Sequence, residues 1–327
     1  MQERLAVLCY EAAMTAASFK PRDVFSDAEW ARLMAPVTWQ GPAMVLHAWA
    51  VIGLCMAAVT LSGHNPLVVI LAVIIIGNRQ LGLAILMHEA AHGLLHRDKK
   101  INDFLGQWVT SAPVGTDLNF YRPYHLSHHR HVQTDHDPDL PLAAPFPTTQ
   151  ASMRRKIIRD LTGQTFFKQR AFAIAALFKP EMVQAPGAET IAARSAVIRF
   201  FAINLAMLSI LAASGHTMLY FSCWLLPLAT WNPLATRIRN IAEHACVETD
   251  HSNPLSQART TKANFVERIM FAPYWVHYHA EHHAMMYVPC FRLPLAHQLL
   301  SEKGLLDGTE IAPGYLSVLR KVTTKPA

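Results

Sequence analysis

The sequence predicts an all-α integral membrane protein, with four transmembrane helices in two hairpins and a cytoplasmic helical cap that holds a histidine-rich dimetal site. Three observations carry that reading. Long apolar runs come in two pairs, Lys and Arg gather between and after those pairs, and the 18 histidines of the 327-residue chain concentrate in spaced clusters. Hydrophobic residues make up 52% of the chain and charged residues only 16%, a membrane-type balance.

Residues 1–41 read as a cytoplasmic N-terminal segment. Their opening, "MQERLAVLCYEAAMTAASF", carries Glu3 and Glu11 and lacks a long apolar stretch before a cleavage site, so it does not read as a signal peptide. Residues 42–300 read as one membrane domain. About 20 apolar residues cross a bilayer, and four runs are long enough: 42–61 and 66–87 around the turn "SGHN", then 196–214 and 217–236 around "GH". Turns this short make each pair a hairpin.

Neither turn contains Lys or Arg, whereas 13 lie between 88 and 195 and 10 lie after 236. Positive residues are retained on the cytoplasmic side, so both long polar regions and both termini are expected there. Arg79 falls inside the second span, where a charge is costly. Either it finds a buried partner or the helix is already leaving the membrane at that level, and exit is the favoured reading. The segment "FLGQWVTSAPVG" (104–115) is apolar but too short to cross, and reads as interfacial or re-entrant. Residues 301–327 read as a cytoplasmic tail.

Composition also removes some function classes. The cysteines at 9, 55, 223, 246 and 290 are scattered without a C-x-x-C pair, which argues against a disulfide framework or a thiolate metal site. The net charge of +6 is not concentrated in a basic run interleaved with aromatics, so nucleic acid is not the expected partner. Topology accounts for the charge better.

The stretch "LMHEAAHGLLH" (86–96) contains His88 and His92 in an H-E-x-x-H pattern, with Glu89 between them. One helical turn separates the two imidazoles, as a zinc metalloprotease requires. "YHLSHHRH" then places His125, His128 and His129 in the spacing H-x-x-H-H, and "HYHAEHH" repeats it with His279, His282 and His283. On a helix, positions i, i+3 and i+4 share a face, so each cluster can aim three imidazoles at one point. Beyond the fourth run, "RIRNIAEHA" offers Asn240 and His244, four residues apart. All four elements reach the same side of the membrane.

A zincin needs three protein ligands and an open position, and this chain offers about nine candidates. That number suits two ions, four- or five-coordinate each, with room for water or oxygen. Imidazole accepts zinc, iron, copper and nickel alike, so the donors do not name the metal. Haem would leave the adjacent His-His pairs unused.

At these residues the chain resembles the integral-membrane fatty acid desaturase family, which is marked by three histidine boxes in this order and four membrane spans. The similarity covers roughly residues 40–300, and "HLSHHRHVQTDHDPDL" is similar to the family's second box, with Thr134 and Asp137 to Asp139 downstream. The resemblance implies two irons with dioxygen as co-substrate. It implies as ligands His88, His92, His125, His128, His129, His244, His279, His282 and His283, with Asn240 acting through a water. Glu89 would then hydrogen-bond a ligand histidine and orient it, and Glu243 and Glu281 invite the same role. The first box is H-x-x-x-H rather than a longer form, which keeps His96 as a possible extra ligand. His131 and His136 trail the second box as supporting candidates, while His47, His64, His216, His251, His277 and His297 read as ordinary polar residues.

The activity implied is oxygen-dependent desaturation of a lipid acyl chain. Hydroxylation or ketolation of acyl chains, sphingolipids or carotenoids is the alternative, followed by a membrane zinc protease and a non-catalytic metal carrier. The chain contains no flavin motif, cytochrome domain or cysteine cluster, so two electrons per turnover must come from a separate donor such as a ferredoxin, or cytochrome b5 with its reductase. Phe120, Tyr121 and Tyr124 could line a chain tunnel, though at helical spacing such residues are as often core.

Overall fold

The computed structural model describes residues 21–178 and 190–324; the first twenty residues of the expected N-terminal segment and the last three of the expected tail lie outside that range. Helix α1 (Gln40–Leu61) and helix α2 (Pro66–Ala91) form the first hairpin. Asn65 starts α2 by accepting a hydrogen bond from the Leu67 amide, and Pro66 occupies the first turn, where its missing N–H costs nothing. The first half of α2 is mostly half-buried or exposed and its second half, from Gly77 to Ala91, almost wholly buried. That half runs through protein and carries the first histidine box at its end.

Helix α2 continues past Arg79 to Ala91. The Arg79 guanidinium lies 5.3 Å from the centre of the Tyr274 ring. At Gly77 an added Cβ would come within 2.7 Å of Trp231 Cβ, so the missing side chain lets a later helix approach α2 closely.

Past α2, a short helix capped by Asp98 runs into a π-helical stretch, Leu105–Ser111, and ends at Gly115. This is the piece expected to be interfacial or re-entrant. Asp117 then caps helix α3 (Leu118–His131), its carboxylate accepting from the Phe120 amide at 3.0 Å. Helices α4 (Gln150–Leu161) and α5 (Gln164–Phe178) follow, and α6 (Thr190–Ala213) supplies the third long apolar helix. Among the described residues, Gln40–Leu61, Pro66–Ala91 and Arg194–Ala213 are long and apolar enough to cross a membrane.

The fourth expected span is not one helix. Residues 217–229 form a short α-turn, a π-helical stretch (Tyr220–Leu225) and another α-turn, and Thr230 (φ −121°, ψ −72°) breaks the path before helix α7 (Trp231–His244). Pro227 and Pro233 flank the break, and each removes an amide that a continuous helix would need. Hydropathy registers the run as continuous because proline and threonine barely change it.

The C-terminal third folds back onto α2 and α7. Strand β1 (Arg259–Thr261) pairs in parallel with β2 (Glu310–Ala312), a small departure from an all-α chain. Between them lie α8 (His279–Ala284) and α9 (Leu293–Glu302), and α10 (Tyr315–Val322) packs on α7. Ala312, Tyr315, Val318 and Val322 are buried, so the stretch expected as a tail from 301 onward is built into the domain as far as the described residues reach. Arg259, itself buried, ties the end of α7 to this layer by donating to the carbonyls of Ala242 and Ala245 and pairing with Glu310.

Candidate metal centre

Four elements converge on one place. α2 brings His88 and, at its C-cap, His92; α3 brings His125, His128 and His129; α7 ends in His244; α8 brings His279, His282 and His283. The i, i+3, i+4 spacing does as expected, for each triplet shares a face. The nine side chains divide into two groups whose ligand atoms lie within 4.8 Å of one another: His88, His92, His125, His129 and His282, and His128, His244, His279 and His283. His129 and His283 stack at 4.3 Å between ring centres, so the two groups adjoin.

The nitrogens fit bound cations. His125 Nε2 lies 3.0 Å from both His92 Nε2 and His129 Nε2, and His129 Nε2 lies 3.0 Å from His282 Nε2. In the other group, His244 and His279 meet at 3.0 Å, His279 and His283 at 3.2 Å, and His128 and His283 at 3.3 Å, all through Nε2. For metal–imidazole bonds of about 2.0–2.1 Å, ligands at right angles lie about 3 Å apart. Hydrogen bonding alone does not explain the pattern. His128 Nδ1 lies 2.7 Å from Asp137 Oδ1 and His244 Nδ1 lies 3.2 Å from the Gln257 carbonyl, so both rings carry their proton on Nδ1 and turn a lone pair inward. Among the described residues, buried His88 has no hydrogen-bond partner for either nitrogen. Lone pairs gathered in this way could be satisfied by a shared cation.

Electrostatics agrees. Burial, reinforced by neighbouring imidazoles, holds His125, His129, His244, His279, His282 and His283 well below the ordinary histidine range. Burial, with Arg122 nearby, lowers His92 to about 3. These seven imidazoles are therefore neutral at physiological pH, the form that binds metal.

The surrounding residues divide differently from expectation. Asn240 lines a cleft of about 20 Å³ with Glu243, His244 and His279, room for roughly one water. Its Oδ1 accepts from Arg239 at 3.0 Å. Glu243 pairs with Arg239 and stands 3.5 Å from His279 Nδ1, and burial raises its carboxyl to about 8 against the opposing pull of Arg239. Glu89 stands 3.5 Å from His88 Nδ1, long for a hydrogen bond, while its other oxygen accepts from the Cys290 amide at 2.8 Å.

Glu281 does not face a ligand histidine. Its oxygens take Thr260 Oγ1 and His297 Nδ1, each at 2.5 Å, so His297 is tied into the packing behind α8 rather than standing alone. His96 belongs to neither group and accepts from the Asp98 amide through Nδ1 at 2.9 Å. His131 and His136 face each other at 5.7 Å, also outside both groups. Tyr121 stacks on His125 at 5.0 Å and lines the small cleft, whereas Tyr124 bonds to Pro138 and Asp139.

Three supports had no assigned role from sequence: the carboxylate of Asp137, the carbonyl of Gln257 and the guanidinium of Arg239. Asp137 could have been found only through the family's second-box pattern, because it sits in a loop nine residues from His128, where no helical period applies. A backbone carbonyl leaves no trace in sequence.

Residues 64–312 match the family described as fatty acid desaturase, a stretch that contains all nine histidines and Asn240. The chain is also similar to the dihydrorhizobitoxine desaturase of Bradyrhizobium elkanii, at 24% identity over 255 residues that cover 76% of this chain and 69% of that protein.

Proposed function

This chain belongs to the fatty acid desaturase family, and from that premise we propose that it is a membrane-bound, oxygen-dependent diiron oxidoreductase that introduces a double bond into a lipid acyl chain. The observation that carries the reading is the division of nine imidazoles, seven of them buried, into groups of five and four. A hydrolytic zinc site would use three ligands and keep the rest of one coordination sphere open. Two adjoining groups, each rich in neutral nitrogen donors, suit a pair of ions that cycle between oxidation states. Two irons held there would supply the reductive activation of dioxygen that no side chain can supply.

The chain's own residues hold and enclose that chemistry. α3 and α8 present their imidazoles on rigid helical faces, and each of these two helices serves both groups, so the two ions would be fixed relative to one another. Asp137 and the Gln257 carbonyl hold His128 and His244 in the tautomer that turns Nε2 inward. The stoichiometry is closed by one dioxygen, two electrons and two protons, which take two hydrogens from adjacent carbons and leave two waters. The electrons come from a separate donor, a ferredoxin or cytochrome b5 with its reductase. Three apolar helices and the family support a reaction at a membrane; we assign the cytoplasmic side to the histidines and both termini from the distribution of Lys and Arg.

The family's name specifies fatty acids and the relative's name specifies dihydrorhizobitoxine. The substrate is therefore tested directly, by mass spectrometry of lipids from cells with and without the gene, alongside the metal content of the purified protein. Loss of two hydrogens from one lipid class, with two irons per chain, is the expected result. Gain of one oxygen would replace desaturation with hydroxylation on the same ligands. A single zinc with peptidase activity would overturn the reading.

A further inference from the structure

A cavity of about 630 Å³ opens between the first hairpin and the segment 265–275, and none of its lining residues belongs to the histidine groups. Two guanidiniums reach it, Arg79 from the middle of α2 and Arg268 from the short helix Phe265–Met270. No carboxylate among the described residues lines it. Among the described residues, neither arginine forms an ion pair with an acidic side chain.

Arg79 makes that arrangement costly. It lies 13 residues into a 26-residue apolar helix, roughly 20 Å along the axis from its start. A charge at that depth is costly without a counter-charge, and a ring face supplies only part of one. The wall opposite it is built under strain. Tyr274 (φ 51°) and Trp275 (φ 58°) are consecutive left-handed residues without being glycine, a backbone conformation that other residues rarely adopt. The turn is held because the Tyr274 hydroxyl donates to the Met44 carbonyl at 3.0 Å and its ring packs on Gly82, where a Cβ would come within 2.7 Å. At the rim, Trp39 and Phe265 are 69% and 76% exposed, large apolar side chains beside a hydrophobic span.

Two lining guanidiniums, apolar walls and an apolar rim beside an apolar helix together specify a ligand with one charged end. The volume lies within the usual range for a ligand pocket, about 300–1,000 Å³. We propose that this cavity binds a membrane amphiphile, with an oxyanion head, carboxylate or phosphate, held between Arg79 and Arg268 and an aliphatic chain against Trp39, Met44 and Phe265. The site is separate from the metal centre, for His88 lies nine residues further along α2, about 13 Å on. It does not rest on the proposed reaction.

The probe is already in place, since Trp39 and Trp275 line the cavity. The full-length protein in phosphatidylcholine nanodiscs is titrated with small fractions of chain-brominated oleate, phosphatidylglycerol or phosphatidylcholine while tryptophan fluorescence is followed. Saturable quenching by at least one anionic probe is expected, with none by brominated phosphatidylcholine. Arg79→Gln should weaken the apparent affinity by about 10–100-fold, the loss of a charge-assisted hydrogen bond. Arg268→Gln should act in the same direction to a smaller extent. Phosphatidylglycerol alone would identify a bilayer lipid as the source and oleate alone a free carboxylate; either supports the site. Equal quenching by phosphatidylcholine, absence of saturation, or unchanged affinity in Arg268→Gln would overturn it. Arg268 is exposed on a short surface helix, so that variant keeps the test decisive if Arg79→Gln does not fold.

Discussion

In the group of four imidazoles, His128 meets the Asp137 carboxylate at 2.7 Å, His244 meets a carbonyl at 3.2 Å, and Asn240 waits across a one-water cleft. In the group of five, the nearest carboxylate contact among the described residues is Glu89 against His88, at 3.5 Å. The group with fewer nitrogen donors has the more extensive outer support. Outer hydrogen bonds fix ring orientation and raise ligand basicity, so they matter most where each ligand carries a larger share of the coordination. The group of five is defined chiefly by ligand number, and the group of four by how firmly its ligands are held.

The largest expected effects test whether both groups are sites at all. His282→Ala removes a nitrogen from the group of five and His128→Ala one from the group of four, and each should abolish product formation and lower bound iron. His244→Ala should do the same, although it lies outside every box pattern. Retention of both iron and turnover in any of the three would remove that residue from the ligand set. If only the group-of-four variants lose activity, the two groups are not one centre.

A smaller effect separates the kinds of support. Asp137→Asn keeps the shape but loses the charge that holds His128 Nδ1–H, and should reduce metal affinity by about 10–100-fold. Glu89→Gln should cost less, because the 3.5 Å contact to His88 is already weak and the amide oxygen can still accept from Cys290. Competition with a graded series of chelators measures both. Equal losses would show that the outer contacts of the two groups are equivalent and that the asymmetry has no energetic meaning.

The same asymmetry explains what could be read from sequence. Helical periodicity places His125 with His128 and His129, and His279 with His282 and His283, on common faces, and α2 and α7 carry their histidines at matching ends. Those are local rules, and the structure joins their products. Periodicity does not assign the histidines to ions: the second box gives His125 and His129 to one group and His128 to the other, and the third sends His282 to the first and His279 and His283 to the second. That division depends on how helices cross. Glu281 shows the limit from the other side, for its position before a box histidine suggests an orienting carboxylate, yet the helix face turns it to Thr260 and His297. The fourth apolar run fails for a different reason. Hydropathy averages over 217–236, whereas the break depends on two prolines and the backbone of Thr230.

Asn240 offers the finest test of the comparison. If the group of four is completed by a water that Asn240 holds, the cleft of about 20 Å³ is the site of that water and the side chain is its anchor. Asn240→Ala enlarges the cleft and leaves the four imidazoles untouched, so a second water can take over part of the contact. Iron content should therefore stay near the unmodified level while turnover falls, by less than in Asp137→Asn. His216→Ala provides the reference, since that exposed residue lies in the turn after α6 and outside both groups; it should change neither quantity. Iron per chain and product per unit time, measured together in the two variants, decide the matter. Loss of iron in Asn240→Ala as complete as in His244→Ala would make the asparagine a direct ligand. No change in either quantity would leave the group of four with its imidazoles alone.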